Sequence, residues 1–356
     1  MCGRIALNVN SVTVRDRVGT RRQAWVHQER FRPSTNVAPT RHHPVLLARQ
    51  QLALTPYAAA ADAPESRRYE DEPNRVIGSN GAPTGTEASS DMCPPPLLSE
   101  AEAENYFLHS MKWGLVTDSS IRRGGPQPIN ARDDSVLDGK PMFAPLRNQF
   151  RCVVVAQGFF EWVREGKKAT PYYVHRTDGQ LLYMAGLFTV AGATGTDTDP
   201  VVSCAIITTE NTPRLAFMHD RMPALLDGAG VRAWLDISHP WSPALAALLC
   251  PRDEGLSFFA VDPRVGKAGV EDARFQVPYK KPDLAESSPM LAMWARKTKE
   301  TLPPVDVAVE KRRDRPESGN DPDASATPKR RRVLDQLGEG SSQDEVDEIV
   351  IQVEYE

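Results

Sequence analysis

Short runs of β-branched and aromatic residues, bounded by Gly, Pro, Asn or Asp, dominate the middle of this chain. Pro44-Val45-Leu46-Leu47-Ala48 is the clearest strand candidate of the first part. Met111-Lys112-Trp113-Gly114-Leu115-Val116 opens a second apolar stretch. The run Arg151-Cys152-Val153-Val154-Val155-Ala156 is apolar on both alternating faces, the pattern of a strand covered on both sides. Further strands are predicted at Pro171-Tyr172-Tyr173-Val174, over residues 182–188 and 201–208, and at Leu256-Ser257-Phe258-Phe259-Ala260-Val261. Helical spacing is confined to residues 231–235 and 243–249. Arg32-Pro33-Ser34-Thr35-Asn36-Val37-Ala38-Pro39 reads as an ordered loop. Many strands closely followed by turns, with few helices between them, predict an α+β domain, mainly antiparallel and barrel-like, with flanking helices.

The pattern lapses twice. Residues 56–104 turn to Ala, Pro, Ser, Glu and Gly, which predicts a disordered insertion within a domain spanning residues 2–290. Residues 296–356 lose their apolar positions and predict a disordered tail. With 30 prolines among 356 residues, the folded unit is expected to be shorter than the chain. A formal net charge of −4 gives no whole-chain bias toward nucleic acid, so the distribution of charge matters more than its sum. Cys2, Cys93, Cys152, Cys204 and Cys250 have no metal-type or paired spacing, so neither a metal site, a disulfide framework nor a cofactor is predicted. No apolar run reaches membrane-spanning length and the N-terminus lacks a secretory pattern, which predicts a reducing, intracellular setting without membrane contact.

Against this background Met1-Cys2-Gly3-Arg4 stands out chemically. Removal of Met1, favoured by the small residue after it, leaves Cys2 with a free α-amine beside its thiol. Reference pKa values of about 8 and about 8.5 leave a useful fraction of each nucleophilic at neutral pH. Such a pair condenses with an aldehyde to an imine and then closes a five-membered thiazolidine ring. The plainer alternative is a small packing residue.

Three more segments carry polar groups among the strands: Asn130-Ala131-Arg132, Gly158-Phe159-Phe160-Glu161-Trp162 and Met218-His219-Asp220-Arg221-Met222-Pro223. The ordered set of four, with Met111-Lys112-Trp113-Gly114-Leu115-Val116 after the first, resembles the SRAP family of SOS response-associated peptidases. The resemblance covers residues 2–265, interrupted by the insertion. It implies a protein that traps abasic sites in single-stranded DNA, with Cys2 as the attacking aminothiol. Asn130 then holds the amine and the sugar. Glu161, walled by Phe159, Phe160 and Trp162, is the expected general acid/base, and His219 the second proton-transfer group. The DNA contacts implied are Arg4, Lys112, Arg132 and Arg221 for phosphates, Trp113 for base stacking, and Asn36 with Pro39 at the wall of the site. Each residue also has an ordinary reading: Asn130 and Asn36 as turn residues, Glu161 as a solvated strand end, His219 as structural and Trp113 as core. Two departures from the family pattern stand in the sequence, Asp133-Asp134 where Ala/Ser and Glu are usual, and Phe160 where Tyr is frequent.

In the tail, Pro328-Lys329-Arg330-Arg331-Arg332-Val333 has the form read by nuclear import receptors and predicts a nuclear location. Asp347-Glu348-Ile349-Val350-Ile351-Gln352-Val353-Glu354 looks like a SUMO-interacting segment that adds a strand to a partner. A monomer is expected. Two other readings compete. Class II glutamine amidotransferases also mature to Cys2 followed by Gly3, but their Asn-Gly and Arg-Gly-Pro-Asp segments are lacking here. A plain single-stranded DNA binding module would leave Cys2 incidental. Taken literally, the family's peptidase name implies self-cleavage after Met1, although ordinary aminopeptidase removal suffices.

Overall fold

Residues 2–21, 24–55, 95–192 and 200–280 are described in a computed structural model of the protein. Along the chain they form β1 (Ile5–Leu7), α1 (Ser11–Val18), β2 (Trp25–Val26), β3 (Ser34–Val37), β4 (His42–Ala48) and β5 (Tyr106–Trp113). Next come α2 (Asp118–Arg123), β6 (Asn130–Arg132), α3 (Asp133–Leu137), α4 (Leu146–Gln149), β7 (Arg151–Ala156), β8 (Gly158–Glu165) and β9 (Lys168–Arg176). The order finishes with β10 (Leu182–Ala191), β11 (Val201–Glu210), β12 (Arg221–Pro223), α5 (Gly228–Leu235), α6 (Pro243–Ala246) and β13 (Leu256–Ala260).

Two sheets result, one ordered β13-β9-β8-β1-β3 and the other β12-β11-β10-β7-β4-β5-β2. In the larger sheet β11 also pairs in parallel with β5, through Ser203↔Lys112 and Cys204↔Trp113. That extra pairing closes the circuit β5-β4-β7-β10-β11 into a barrel. The fold is therefore α+β and mainly antiparallel, as the spacing of strands and turns predicts. β7 sits between β4 and β10 with all six residues buried, which explains its unbroken apolar run.

Local signals account for the helices. The Asn10 side chain accepts the Thr13 amide proton at the start of α1, and Gly19 ends that helix in the left-handed region at φ 82°. Asp227 caps α5 in the same way, and Val231, Trp234 and Leu235 turn its buried face to the core.

Three sequence expectations need correction. The segment expected to be a loop contains a buried strand, β3. Its polar residues belong inside because Glu271 accepts from the Ser34 and Thr35 hydroxyls and from the Thr35 amide, while Asn36 donates to the carbonyls of Lys267 and Val270. Order also resumes earlier than residue 104. The Leu97 and Leu98 amides donate to the carbonyls of Arg17 and Val18, and Leu98 is buried in the core beside α1. Finally, Glu161 lies within β8 rather than at a strand end or in a loop. Residues 56–94 of the expected insertion and both tail motifs lie outside the described residues.

Gly158 shows how closely the smaller sheet is packed. A Cβ there would sit 2.5 Å from the Tyr173 ring and from the Val174 carbonyl oxygen. Only glycine leaves room for β9 to cross at this level.

Candidate active site

The first residues of the chain run beside β8. Ile5 pairs with Phe159 and Ala6 with Gly158, and the Phe160 amide donates to the Arg4 carbonyl at 2.9 Å. This antiparallel run carries Cys2 to the level of Glu161. Cys2 is fully buried against Ile5, Val37 and Phe159. Burial first, and then the charge of Glu161, push its thiol well above the ordinary range, while the Arg4 backbone N–H pulls the other way.

Arg4 anchors this entry. Its Nη1 donates to Asn36 Oδ1 at 2.7 Å and to the Val265 carbonyl at 2.9 Å, and its guanidinium lies 6.0 Å from the Trp162 ring centroid. Burial lowers its pKa. These bonds tie the N-terminal segment to β3 and to the turn at Val265. Asn36 is buried as the partner of Arg4, and half-buried Pro39 follows it on the β3–β4 turn.

The second wall comes from the barrel. β6 pairs in parallel with β11 through Ile206↔Asn130, and Asn130 Nδ2 donates to the Cys2 carbonyl at 2.9 Å. Asn130 Oδ1 is buried and accepts no hydrogen bond among the described residues. It is a buried acceptor held beside Cys2, with capacity for a donor.

Arg221, expected on phosphates, is instead 5% exposed. Its Nη2 donates to Asp133 Oδ1 at 2.6 Å and also to the Thr208 carbonyl. The pair clasps the segment after Asn130 to the segment after His219. Asp133, one of the two acids that depart from the family pattern, thus has a partner; so does Asp134, which accepts from exposed Arg132.

Glu161 is 4% exposed, and burial raises its carboxyl from the usual carboxylate range to about 7. The amino-terminal charge opposes that rise and Asp220 adds to it. A group balanced between acid and carboxylate near neutrality can both give and take a proton. His219 is half-buried, and desolvation together with the amino-terminal charge lowers its pKa. Its Nδ1 accepts from the Arg221 amide at 3.0 Å and lies 2.5 Å from Asp220 Oδ1. The amide favours a lone pair on Nδ1 and the carboxylate favours a proton. Both bonds use Nδ1; no bond of Nε2 is present among the described residues.

Cys2, Asn130, Glu161 and the His219-Asp220 pair therefore converge, although they come from four separated stretches. The DNA-binding expectations fare less evenly. Lys112 is half-buried and, among the described residues, reaches only Gln127 at 3.2 Å. Trp113 is 1% exposed and its indole N–H donates to the Ile129 carbonyl, so it offers no open face to a base. Its ordinary reading, a core residue, is correct.

Sequence reasoning missed a cationic cleft of about 370 Å³ at the β3–β4 turn, lined by Glu29, Arg30, Arg32, Thr40, Arg41 and His42. Burial and the charges of Arg30, His27 and Lys112 depress the His42 pKa. The density of arginine between positions 30 and 41 was the available signal. Among the described residues, no group of three or more His, Cys, Asp or Glu could hold a metal, and no helix is long and apolar enough to cross a membrane.

A family model described as SOS response associated peptidase (SRAP) matches residues 1–268. The abasic site processing protein HMCES of Gallus gallus is 25% identical over 339 residues, which cover 85% of this chain and 87% of that protein. The abasic site processing protein YedK of Escherichia coli (strain K12) is 30% identical over 184 residues, covering 51% of this chain and 79% of that protein. Among solved structures, a protein from Bacteroides thetaiotaomicron aligns with a TM-score of 0.54 at 20% identity, over 78% of this chain and 100% of its own. That likeness is one of fold.

Proposed function

Because this chain belongs to the SRAP family, we propose that it processes abasic sites in single-stranded DNA by capturing the ring-opened deoxyribose on Cys2. The observation that carries the reading is the Asn130 side chain held on the Cys2 carbonyl at 2.9 Å, beside a buried Glu161 whose carboxyl is pushed up to about 7 by loss of water. Removal of Met1 by an ordinary aminopeptidase exposes the Cys2 amine. The amine adds to the sugar aldehyde to give a carbinolamine, and protonated Glu161 donates to the departing hydroxyl, which leaves as water. The Cys2 thiol gives its proton to the Glu161 carboxylate left by that step, and its sulfur attacks the iminium carbon and closes the thiazolidine. One amine, one thiol and one aldehyde become one ring and one water.

Asn130 Oδ1 orients the amine, and His219 Nε2 moves protons at the sugar hydroxyls. Lys112 and the arginines of the cleft hold phosphates without reading sequence. Nuclear import through Lys329-Arg330-Arg331-Arg332 and SUMO binding through Ile349-Val350-Ile351-Gln352-Val353 complete the proposal. Fluorescence imaging of tail-deleted protein and a titration of the tail peptide with SUMO test these two points. Exclusion from the nucleus with the tail intact, or a peptide that does not bind, removes the corresponding assignment.

The central experiment incubates the protein with single-stranded uracil DNA that a uracil glycosylase has converted to abasic DNA, followed by a denaturing gel. A heat-resistant shifted band is expected, absent for Cys2→Ala. A wild-type protein that forms no band, or a Cys2→Ala variant that still forms one, overturns the reading. A parallel glutaminase assay is expected to be negative, since glutamine hydrolysis would favour the amidotransferase alternative.

A further inference from the structure

A single-stranded DNA site that tolerates any sequence needs an aromatic face for a base. Buried Trp113 cannot supply it. Phe217 can. In the segment between β11 and β12, Leu215 and Met218 turn into the core while Phe217 is 49% exposed. Half-exposure of such a side chain forgoes part of the gain that burial would bring.

The ring is nonetheless propped. It meets Tyr172 edge-on, with centroids 5.5 Å apart and planes at 88°, and Phe258 at 5.4 Å and 53°. Tyr172 and Phe258 lie 6.3 Å apart. The Arg214 guanidinium sits 5.4 Å from the Phe258 centroid, held by a 3.0 Å bond from Nη2 to the Leu256 carbonyl.

Sheet register ties this group to the catalytic wall. Tyr172 is the cross-strand partner of Glu161, so both side chains share one face of the smaller sheet. Phe258 pairs with Val174, two residues beyond Tyr172, and therefore shares that face too. Phe217 itself stands two residues before His219. An open ring, backed by a second ring that carries a guanidinium, matches a nucleobase with its phosphate, and the open ring reads no base identity.

We propose that Phe217, supported by Tyr172 and Phe258, is the stacking platform for the base next to the abasic residue, with Arg214 facing that nucleotide's phosphate. The proposal rests on the abasic-site reading given above.

Single-turnover crosslinking against DNA concentration tests it, with wild type, Phe217→Ala and Phe217→Trp. One oligonucleotide carries purines on both sides of a single abasic site. A second carries tetrahydrofuran spacers, which have neither base nor aldehyde, in those flanking positions. On purine-flanked DNA, Phe217→Ala is expected to raise the half-saturating concentration about tenfold, well beyond any change in the rate at saturation, and Phe217→Trp to restore it. On spacer-flanked DNA the gap between wild type and Phe217→Ala closes. Equal half-saturation on purine-flanked DNA, or an equal penalty on both oligonucleotides, overturns the platform while crosslinking itself stands. Failure of the wild type to crosslink either oligonucleotide overturns the abasic-site reading and the platform with it.

Discussion

The two walls of the site use opposite physics. On the smaller sheet, Cys2 lies in a cluster with Ile5, Phe159 and Val37, Glu161 is buried on β8, and the protonation of both is shifted by loss of water. On the barrel side, the segments bearing Asn130 and His219 are joined by an ion pair, Arg221 to Asp133, whose charges compensate each other. Desolvation tunes reactivity at the cost of stability, because the charged carboxylate is disfavoured. Pairing fixes position and leaves the charges in place. A site that needs both a neutral-pH proton carrier and a fixed acceptor draws one from each wall.

Four substitutions sharpen or break that contrast. The largest effect is expected for Cys2→Ala, which removes the sulfur and abolishes the heat-resistant DNA adduct; a gel band of undiminished strength would refute the chemistry. Arg221→Met leaves Asp133 as an uncompensated half-buried charge, and urea denaturation is expected to report a loss of roughly 3–5 kcal/mol. A loss below about 1 kcal/mol would mean that the clasp is ornamental. Gly158→Ala forces β9 away from β8, costing about 2–4 kcal/mol in the same assay, near the range for severe strain and overpacking.

The smallest effect is a gain. The folded-state pKa of Glu161 lies above its unfolded value, so the folded form binds the proton more tightly. That advantage is full below the unfolded pKa, near 4.5, and is lost as pH rises through about 7. Glu161→Gln is therefore expected to melt higher than wild type at pH 8, by roughly 1–2 kcal/mol of stability, and no higher at pH 4. Its adduct formation slows and loses the inflection near pH 7. Equal melting at pH 8 would show that the carboxylate is not buried at a cost.

How far the sequence revealed this arrangement varied by element. β7 begins and ends where its apolar run does, because a strand covered on both faces declares itself without help from its neighbours. β3 stayed hidden because Ser34 and Thr35 are made acceptable inside by Glu271, and Asn36 by the carbonyls of Lys267 and Val270, all more than two hundred residues away. α1 carried its signals, Asn10 before it and Gly19 after it, but only eight residues with a mixed face lay between them.

The site followed the same rule. Motif and chemistry single out Cys2, Asn130, Glu161 and His219, and the fold brings the four together. The internal bonds of Arg4 and Arg221 were not legible, since their partners lie far away in sequence. Phe217 was one apolar residue among several, and nothing local marks it as the one left facing solvent.

One pairing in the barrel has a bearing on how such a protein can diversify. Ala48 and Tyr106 are direct partners across β4 and β5, so the long excursion between them departs and returns within one strand spacing, about 4.8 Å. The cost of closing a loop whose ends are already pinned grows only by about 0.6 kcal/mol for each doubling in length. This seam is thus a tolerant docking port for evolution and for engineering alike: a reporter or recruiting module spliced there inherits its anchorage from the hairpin without disturbing the strands that carry the chemistry.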